Sequence, residues 1–244
     1  MLIEIGCVVV KLYICEDVKN AGWRRHIKNP AGKPDKSGKI YHRKDPKISK
    51  LFIKKCICDF IGEKENNIDI VFAQNDYGKP YINEIYKLKC GMRVKIDISL
   101  FFSLSHSDNM MVCAVACFNV GADCQVKNPK DAEQCRKIAK RFYSEAENKF
   151  LDSLDINIPD IYINNFFKIW TKKEAYIKYT GKGLSEGLNT FAVTSETRQK
   201  NYLGGVYFKR ILPKKLRKLK RKDFCIYLCY NKANKNILEI KYLV

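Results

Sequence analysis

Two carboxylates lie in sequence surroundings that suit chemistry. Asp123 stands in the run Val-Gly-Ala-Asp-Cys, among small and apolar residues, and Glu174 lies four residues before Lys178, on the same face of a predicted helix. A carboxylate within an apolar strand is costly to bury unless it is paired or bound to a metal. Asp123 is therefore a candidate metal ligand. From these residues alone, an exposed aspartate at a strand end and an ordinary surface pair of Glu174 with Lys178 remain open.

Two further segments could bind an anion. Residues 180–184 follow the Glu174 helix with two glycines around a lysine, and such a flexible backbone can approach an anion closely. His106 lies between Ser105 and Ser107, before a predicted turn, where its ring could donate to a phosphate oxygen. An ordinary solvated histidine in a loop is the alternative at this point.

The elements that must position these residues follow from hydrophobic periodicity. A helix is predicted from Pro46 to Gly62, because Asp45-Pro46 suits a helix start and apolar residues then recur at helical spacing. Between residues 68 and 115 the apolar period changes to two, which predicts antiparallel sheet. The individual predictions are strands at 1–14, 68–72, 95–98, 111–117 and 120–126, helices near 130–141, 144–154 and 160–180, and strands at 205–212, 224–230 and 237–244.

The order of these elements predicts an α+β fold. Helix followed by strands occurs in each half of the 244-residue chain, a length that suits one large domain or two modest ones. We therefore expect two similar halves, each with helix packed on antiparallel sheet, and a boundary near Asn119. The halves are then residues 1–118 and 119–244.

Composition and charge indicate the kind of partner and the cellular compartment. The formal net charge of +20 suits a polyanionic partner, such as a phosphorylated cofactor, an acidic protein surface or nucleic acid. Eleven cysteines without a Cys-x-x-Cys pair indicate buried thiols in a reducing compartment, and three histidines make a zinc site unfavourable. The first residues read as a strand rather than a signal peptide, and no apolar run reaches the roughly 18 residues of a membrane span. We expect a cytoplasmic protein.

The order and spacing of several motifs resemble the 4'-phosphopantetheinyl transferases of the Sfp (surfactin-synthetase-activating) type. The resemblance covers most of the chain and fades before residue 30 and after about residue 192. It is carried by Tyr-Gly-Lys-Pro at 77–80, Phe-Ser-Leu-Ser-His-Ser at 102–107, Val-Gly-Ala-Asp at 120–123, Arg-Phe-Tyr-Ser-Glu-Ala-Glu at 141–147, and residues 170–191.

This resemblance implies a metal site and catalytic residues. Asp123 and Glu174 match the family's Mg²⁺ ligands, with Mn²⁺ as the alternative ion. The family often has a second acid where this chain has Gln125, whose amide oxygen can bind a metal but adds no charge. Lys173 matches the lysine of the family's Lys-Glu-Ala motif, and Glu147 matches a glutamate that is a candidate base for the acceptor serine. A metal-bound hydroxide is the other candidate base.

The resemblance also implies a coenzyme A site. The family's phosphate and pyrophosphate contacts fall on Lys79, Ser105, His106 and Lys178. Its adenosine-side segment matches residues 41–45 and Ser49, and the lysines that meet the 3'-phosphate match Lys33 and Lys36. The coenzyme is expected in the cleft between the two halves.

The activity implied is transfer of phosphopantetheine from coenzyme A to a serine of an acyl or peptidyl carrier protein by a monomer, with neither nucleic acid nor a membrane as partner. Whether the carriers serve fatty-acid, polyketide or peptide synthesis stays open. One rival is a nucleic-acid-binding module using the basic run at 214–222, but no RNP pattern, zinc-finger spacing or basic zipper accompanies it. Another is an impaired homologue without turnover, which Gln125 keeps open.

Overall fold

A computed structural model describes residues 9–18, 21, 46–127, 132–155, 158–213, 224–231 and 237–243. These residues form four α-helices and eleven strands. The helices are α1 (Pro46–Ile61), α2 (Ala132–Phe142), α3 (Glu145–Asp152) and α4 (Pro159–Thr180). The strands are β1 (Val9–Cys15), β2 (Ile68–Gln74), β3 (Pro80–Lys89), β4 (Met92–Lys95), β5 (Phe101–Ser107), β6 (Met110–Ala116), β7 (Val120–Val126), β8 (Tyr202–Leu203), β9 (Val206–Arg210), β10 (Phe224–Asn231) and β11 (Ile237–Tyr242).

The four predicted helices are confirmed, with small shifts at their ends. Helix α1 begins at Pro46 and buries an apolar stripe that includes Phe52 and Cys56. Helix α4 also begins at a proline, and it ends at Gly181, which adopts the left-handed conformation that stops a helix. In the part of the chain that the structure describes, no helix has the length and apolar character needed to cross a membrane.

The strands form three sheets. The first has the order β11-β1-β6-β5, the second β7-β10-β9-β8 and the third β2-β3-β4. All neighbours pair antiparallel except β1 and β11, which are parallel. Strand β11, from the end of the chain, therefore completes the sheet that holds β1. The division at residues 118 and 119 stays a prediction, and β11 crosses it.

One stretch of the predicted sheet needs correction. The strand predicted at 95–98 is instead β4, which ends at Lys95, and the longest strand of the region, β3, was not predicted separately. The apolar residues of strand β3 include two adjacent pairs, Tyr81-Ile82 and Ile85-Tyr86, and the strand lies in a sheet of only three strands. This spacing gives no period-two signal.

Three clusters of buried apolar residues lie between the layers of sheets and helices. One packs α1 and the third sheet on one face of the first sheet, through residues such as Phe52, Ile85 and Val115. The second lies between the first and second sheets, and the third packs α2, α3 and α4 on the outer face of the second sheet. Successive residues of the fully buried strand β6 enter different clusters, as Val112 and Cys113 do. The α+β class is confirmed.

Candidate active site

Asp123 lies on β7, at the edge of the second sheet, and it is 1% exposed. Its Oδ1 atom accepts hydrogen bonds from Ser105 Oγ at 2.6 Å and from Lys178 Nζ at 2.7 Å. Its Oδ2 atom accepts one from Gln125 Nε2 at 3.3 Å. Burial raises the pKa of the neighbouring Cys124 thiol to about 12, so that thiol stays protonated. Asp123 is thus a buried carboxylate surrounded by donors.

Close packing of α4 on β7 brings Lys178 to Asp123. A Cβ atom at Gly121 would lie 2.1 Å from the carbonyl oxygen of Ala175, so only glycine permits this approach. Asn119 adds a hydrogen bond of 2.8 Å from its Nδ2 atom to the carbonyl oxygen of Tyr179. Because Glu174 is next to Ala175 on α4, the packing places this helix turn beside β7.

The loop that carries Lys79 is fixed to the end of α4. Asn75 Oδ1 accepts from the backbone N–H groups of Tyr77 and Lys79, and Asn75 Nδ2 donates to the carbonyl oxygen of Gly181 at 2.9 Å. Burial lowers the pKa of Lys79. Asn75 was not among the predicted site residues, although asparagine before Asp-Tyr-Gly is typical of a turn closed by an asparagine side chain.

Glu147 and Lys173 form a separate, enclosed ion pair. Both side chains are 0% exposed, and Lys173 Nζ lies 2.7 Å from Glu147 Oε2. Glu147 also accepts from Ser144 through its N–H and Oγ, as the second half of a capping box, and from the N–H of Val193 at 2.8 Å. Both oxygens of this buried carboxylate accept hydrogen bonds, three at Oε2 and one at Oε1.

The other hydrogen bonds of the Lys173 ammonium group go to the segment that follows α4. Its Nζ atom donates to the carbonyl oxygens of Leu188 at 2.6 Å and Phe191 at 2.5 Å, and it lies 4.3 Å from the centre of the Phe191 ring. Burial lowers the pKa of Lys173, and Glu147 opposes that shift. The pair therefore holds α3, α4 and the segment after α4 together.

The oxygen atoms around Asp123 suit a magnesium ion. In the described ranges no group of three or more His, Cys, Asp or Glu residues is placed to hold a metal. The Gln125 amide beside Asp123 presents its nitrogen to Oδ2, and its Oε1 atom accepts from Ser107 Oγ. Carboxylate oxygens are donors that Mg²⁺ prefers, and a buried carboxylate is costly without a cation, which Lys178 supplies in this structure.

Comparison with known proteins identifies the family. Residues 119–229 match the model of the 4'-phosphopantetheinyl transferase superfamily. The 4'-phosphopantetheinyl transferase gsp of Aneurinibacillus migulanus is 32% identical over 62% of this chain and 54% of its own length. A 4'-phosphopantetheinyl transferase of Bacillus subtilis is 31% identical over 67% of this chain and 65% of its own length.

The chain belongs to the 4'-phosphopantetheinyl transferase superfamily. The 4'-phosphopantetheinyl transferase Sfp of Bacillus subtilis strain 168 is a further relative, 29% identical over 66% of this chain and 64% of its own length. The matched part of this chain thus spans between about half and two thirds of these relatives. The superfamily segment contains Asp123, Glu147, Lys173, Glu174 and Lys178.

The structure brings some of the predicted superfamily residues together and leaves others apart. Asp123, Gln125, Lys178 and Ser105 are linked directly by hydrogen bonds. His106 follows Ser105 on β5, and Ser49 is a half-buried residue of α1. Glu147 and Lys173 belong to the separate enclosed pair. Lys33, Lys36, residues 41–45 and the basic run at 214–222 lie outside the described residues.

A cavity of about 370 Å³ lies elsewhere in the molecule. It is bounded by residues 81–85 of β3 and by residues 95–102. None of the predicted site residues lines it. The candidate active site is therefore the cluster around Asp123 and not this cavity.

Proposed function

We propose that this protein transfers the 4'-phosphopantetheine group of coenzyme A to a serine of an acyl or peptidyl carrier domain, releasing adenosine 3',5'-bisphosphate. The observation that carries the proposal is the buried carboxylate of Asp123, paired with Lys178 on α4 and lying within the superfamily segment. Because Lys178 is partly exposed, this buried acid can exchange its cation partner for a charged ligand.

The metal ion of the proposed reaction is Mg²⁺, or Mn²⁺, which Asp123 and Glu174 would hold, together with Gln125 once its amide oxygen turns from Ser107. When bound, the ion supplies positive charge that offsets the charge developing on the coenzyme's pyrophosphate. The remaining contacts are made by the chain itself. Lys178 is 28% exposed and can turn from Asp123 to a phosphate oxygen, and Lys79 and His106 add donors for the same anion.

Glu147 and Lys173 take a positioning role in this proposal. A general base must reach the hydroxyl from which it takes a proton, within about 3 Å or through one water. The Glu147 carboxylate is 0% exposed and already accepts hydrogen bonds from Ser144, Val193 and Lys173. A serine of another protein has no access to it in this arrangement, so the proposed base role of Glu147 is replaced by support of α4.

The partners follow from charge and from the reaction. Coenzyme A is an anion, and an acidic carrier surface would be attracted by a chain with a net charge of +20. We propose a cytoplasmic monomer whose carriers belong to fatty-acid, polyketide or peptide synthesis. The transfer rate should fall as ionic strength rises, because salt screens long-range attraction.

The direct test is the intact mass of a purified apo carrier protein after incubation with this protein, coenzyme A and Mg²⁺. The expected result is a gain of one phosphopantetheine group. The gain should disappear with EDTA and with a carrier whose acceptor serine is replaced by alanine. Binding of coenzyme A without any mass gain on several carriers would contradict the proposed transfer and favour the impaired homologue.

A further inference from the structure

Three cations gather at one end of the second sheet, on the face that α4 covers. They are Lys127, which follows β7, Lys168 of α4 and Arg210 of β9. Lys127 donates to Asn164 Oδ1, about one helix turn before Lys168. Burial raises the pKa of the Cys225 thiol, and the positive charges of these three cations oppose that shift. The three side chains therefore lie around one point of the sheet, and we call them the cation cluster.

The cation cluster is open to an anion from outside. Gathering like charges costs free energy, which an anion between them offsets. Burial lowers the pKa of Lys168, and the charges of Arg210 and Lys127 lower it further. Lys168 donates to the uncharged Asn165 Oδ1 atom at 3.3 Å. Arg210 is exposed, and Lys127 and Lys168 are half-buried, so an acidic group of another molecule can reach all three.

The cation cluster lies near the candidate active site, on the same face of the sheet. Asp123 and Arg210 are both paired with Tyr227, from opposite sides, so two strand spacings of about 5 Å separate them. Lys127 lies four residues beyond Asp123 in the direction of β7, or about 13 Å. A stable protein interface covers about 800 Å² on each partner, a patch roughly 30 Å across. A domain that brings a serine to Asp123 can therefore also cover the cluster.

We propose that the cation cluster is a docking surface for acidic side chains of the carrier domain. This inference rests on the proposed function, because it says how the protein partner of that reaction is held. Complementary charges at an interface speed the encounter and fix the orientation of the partners. The exposed guanidinium of Arg210 suits this role, since its planar fork matches a carboxylate. Nucleic acid is also an anion, but the closeness of the cluster to Asp123 favours the protein whose serine must reach that site.

Lys209 offers a matched control for Arg210. The two residues are neighbours on β9, and successive residues of a strand point to opposite faces of the sheet. Lys209 is paired with Leu228, which belongs to the apolar cluster between the first and second sheets. Lys209→Glu and Arg210→Glu change the net charge by the same amount. Only Arg210→Glu places the new charge in the cation cluster, so the difference between the variants separates docking from long-range attraction.

The test measures carrier binding by the full chain in saturating coenzyme A and EDTA. The probe is a fluorescently labelled, acidic apo acyl carrier protein with its acceptor serine replaced by alanine, and its dissociation constant comes from anisotropy. We expect Arg210→Glu to weaken binding about 10-fold and Lys209→Glu to weaken it less than about 3-fold. The dissociation constant of coenzyme A should stay unchanged in both variants.

Charge exchange in the carrier gives a readout that a merely structural role of Arg210 would not move. The probe is a set of carriers in which single surface acids are replaced by lysine. At least one of them should bind Arg210→Glu more tightly than the unchanged carrier does, while binding the wild-type chain more weakly. If Arg210→Glu does not fold, Arg210→Gln and Lys209→Gln form the matched pair, with an expected difference of about 3-fold.

The outcomes separate this inference from the proposed function. Equal carrier constants in the matched variants would overturn the docking surface and leave the proposed transfer standing. Carrier binding that only Arg210→Glu weakens, without any mass gain in the transfer assay, would support the docking surface and contradict the proposed reaction. No carrier binding by the wild-type chain would overturn the docking surface. So would a labelled single-stranded oligonucleotide that binds more tightly than the carrier and is weakened only by Arg210→Glu, because the cluster would then be a nucleic-acid surface.

Discussion

Helix α4 carries two ion pairs that differ in their access to solvent. Lys173 and Glu147 are both 0% exposed, and their other donors and acceptors are used by backbone groups. Lys178 and Asp123 are at a similar distance, but the lysine is 28% exposed. The first pair cannot change partners without breaking several buried hydrogen bonds. The second can exchange its lysine for another cation, so we propose a chemical role for the second pair and a structural role for the first.

The largest effect is expected when the enclosed pair is broken. Lys173→Met should lower the free energy of unfolding by about 3–5 kcal/mol, because Glu147 is left as an uncompensated buried charge. Urea denaturation followed by circular dichroism measures this change. The double variant Lys173→Met with Glu147→Gln should recover part of the loss, since the buried charge is then gone. A loss below about 1 kcal/mol would show that the two pairs are alike.

The accessible pair should respond in the opposite way. Asp123→Ala and Glu174→Ala should each reduce the rate of carrier modification by at least about 100-fold, because each removes a proposed metal ligand. For Asp123→Ala the free energy of unfolding should fall by about 1–3 kcal/mol, less than for Lys173→Met, because the buried Ser105 hydroxyl loses its acceptor while Lys178 keeps contact with water. Rates come from intact-mass time courses and stabilities from urea titration. Near-normal activity in either variant would contradict the site assignment.

Lys172 is a second buried lysine of α4, and it donates to uncharged oxygens. Its ammonium group donates to Gln199 Oε1 at 2.9 Å and to the Lys200 carbonyl oxygen at 2.6 Å, and burial lowers its pKa to about 8. The unfolded chain, with an ordinary lysine pKa, then holds the proton more tightly than the folded chain between pH 8 and 10.5. The cost of the buried charge is present below pH 8 and is relieved as the pH rises through that window.

The expected result is a pH-dependent difference between the wild type and Lys172→Met. As the pH rises from 7.5 to 10.5, the unfolding free energy of the wild type should increase relative to the variant by about 2 kcal/mol. Urea titrations at several pH values measure it. The exposed Lys137, which pairs with Glu133 on α2, gives the control Lys137→Met, for which no such gain is expected. A flat difference for Lys172 would contradict the lowered pKa.

The smallest change adds a charge to the accessible site. Gln125→Glu would place a third carboxylate beside Asp123, where the amide now donates to Oδ2. The Mg²⁺ concentration for half-maximal rate should fall by up to about 10-fold, because ligand charge raises affinity for a hard cation. A magnesium titration of the transfer rate measures this. An unchanged requirement would mean that residue 125 does not contact the ion.

Local patterns in the sequence predicted the helices and the two acidic candidate residues. Helices α1 and α4 follow from apolar spacing and from Pro46 and Pro159 at their starts, because these signals act within a few residues. The sequence also singled out Asp123, since an acid among apolar residues is unusual, and Glu174, which lies four residues before Lys178 on one helix face. The motif order then predicted the superfamily, which the comparisons confirm.

Only the tertiary structure decided what each polar group contacts. The sequence contains Ser105, Glu147 and Lys172, but nothing local shows that Ser105 meets a carboxylate 18 positions away or that Glu147 is enclosed. The pairing of β11 with β1 likewise joins the two ends of the chain. Such contacts depend on how the sheets and α4 pack together. Burial, which sets both the cost of a charge and its access to a ligand, is a property of that packing and not of neighbouring residues.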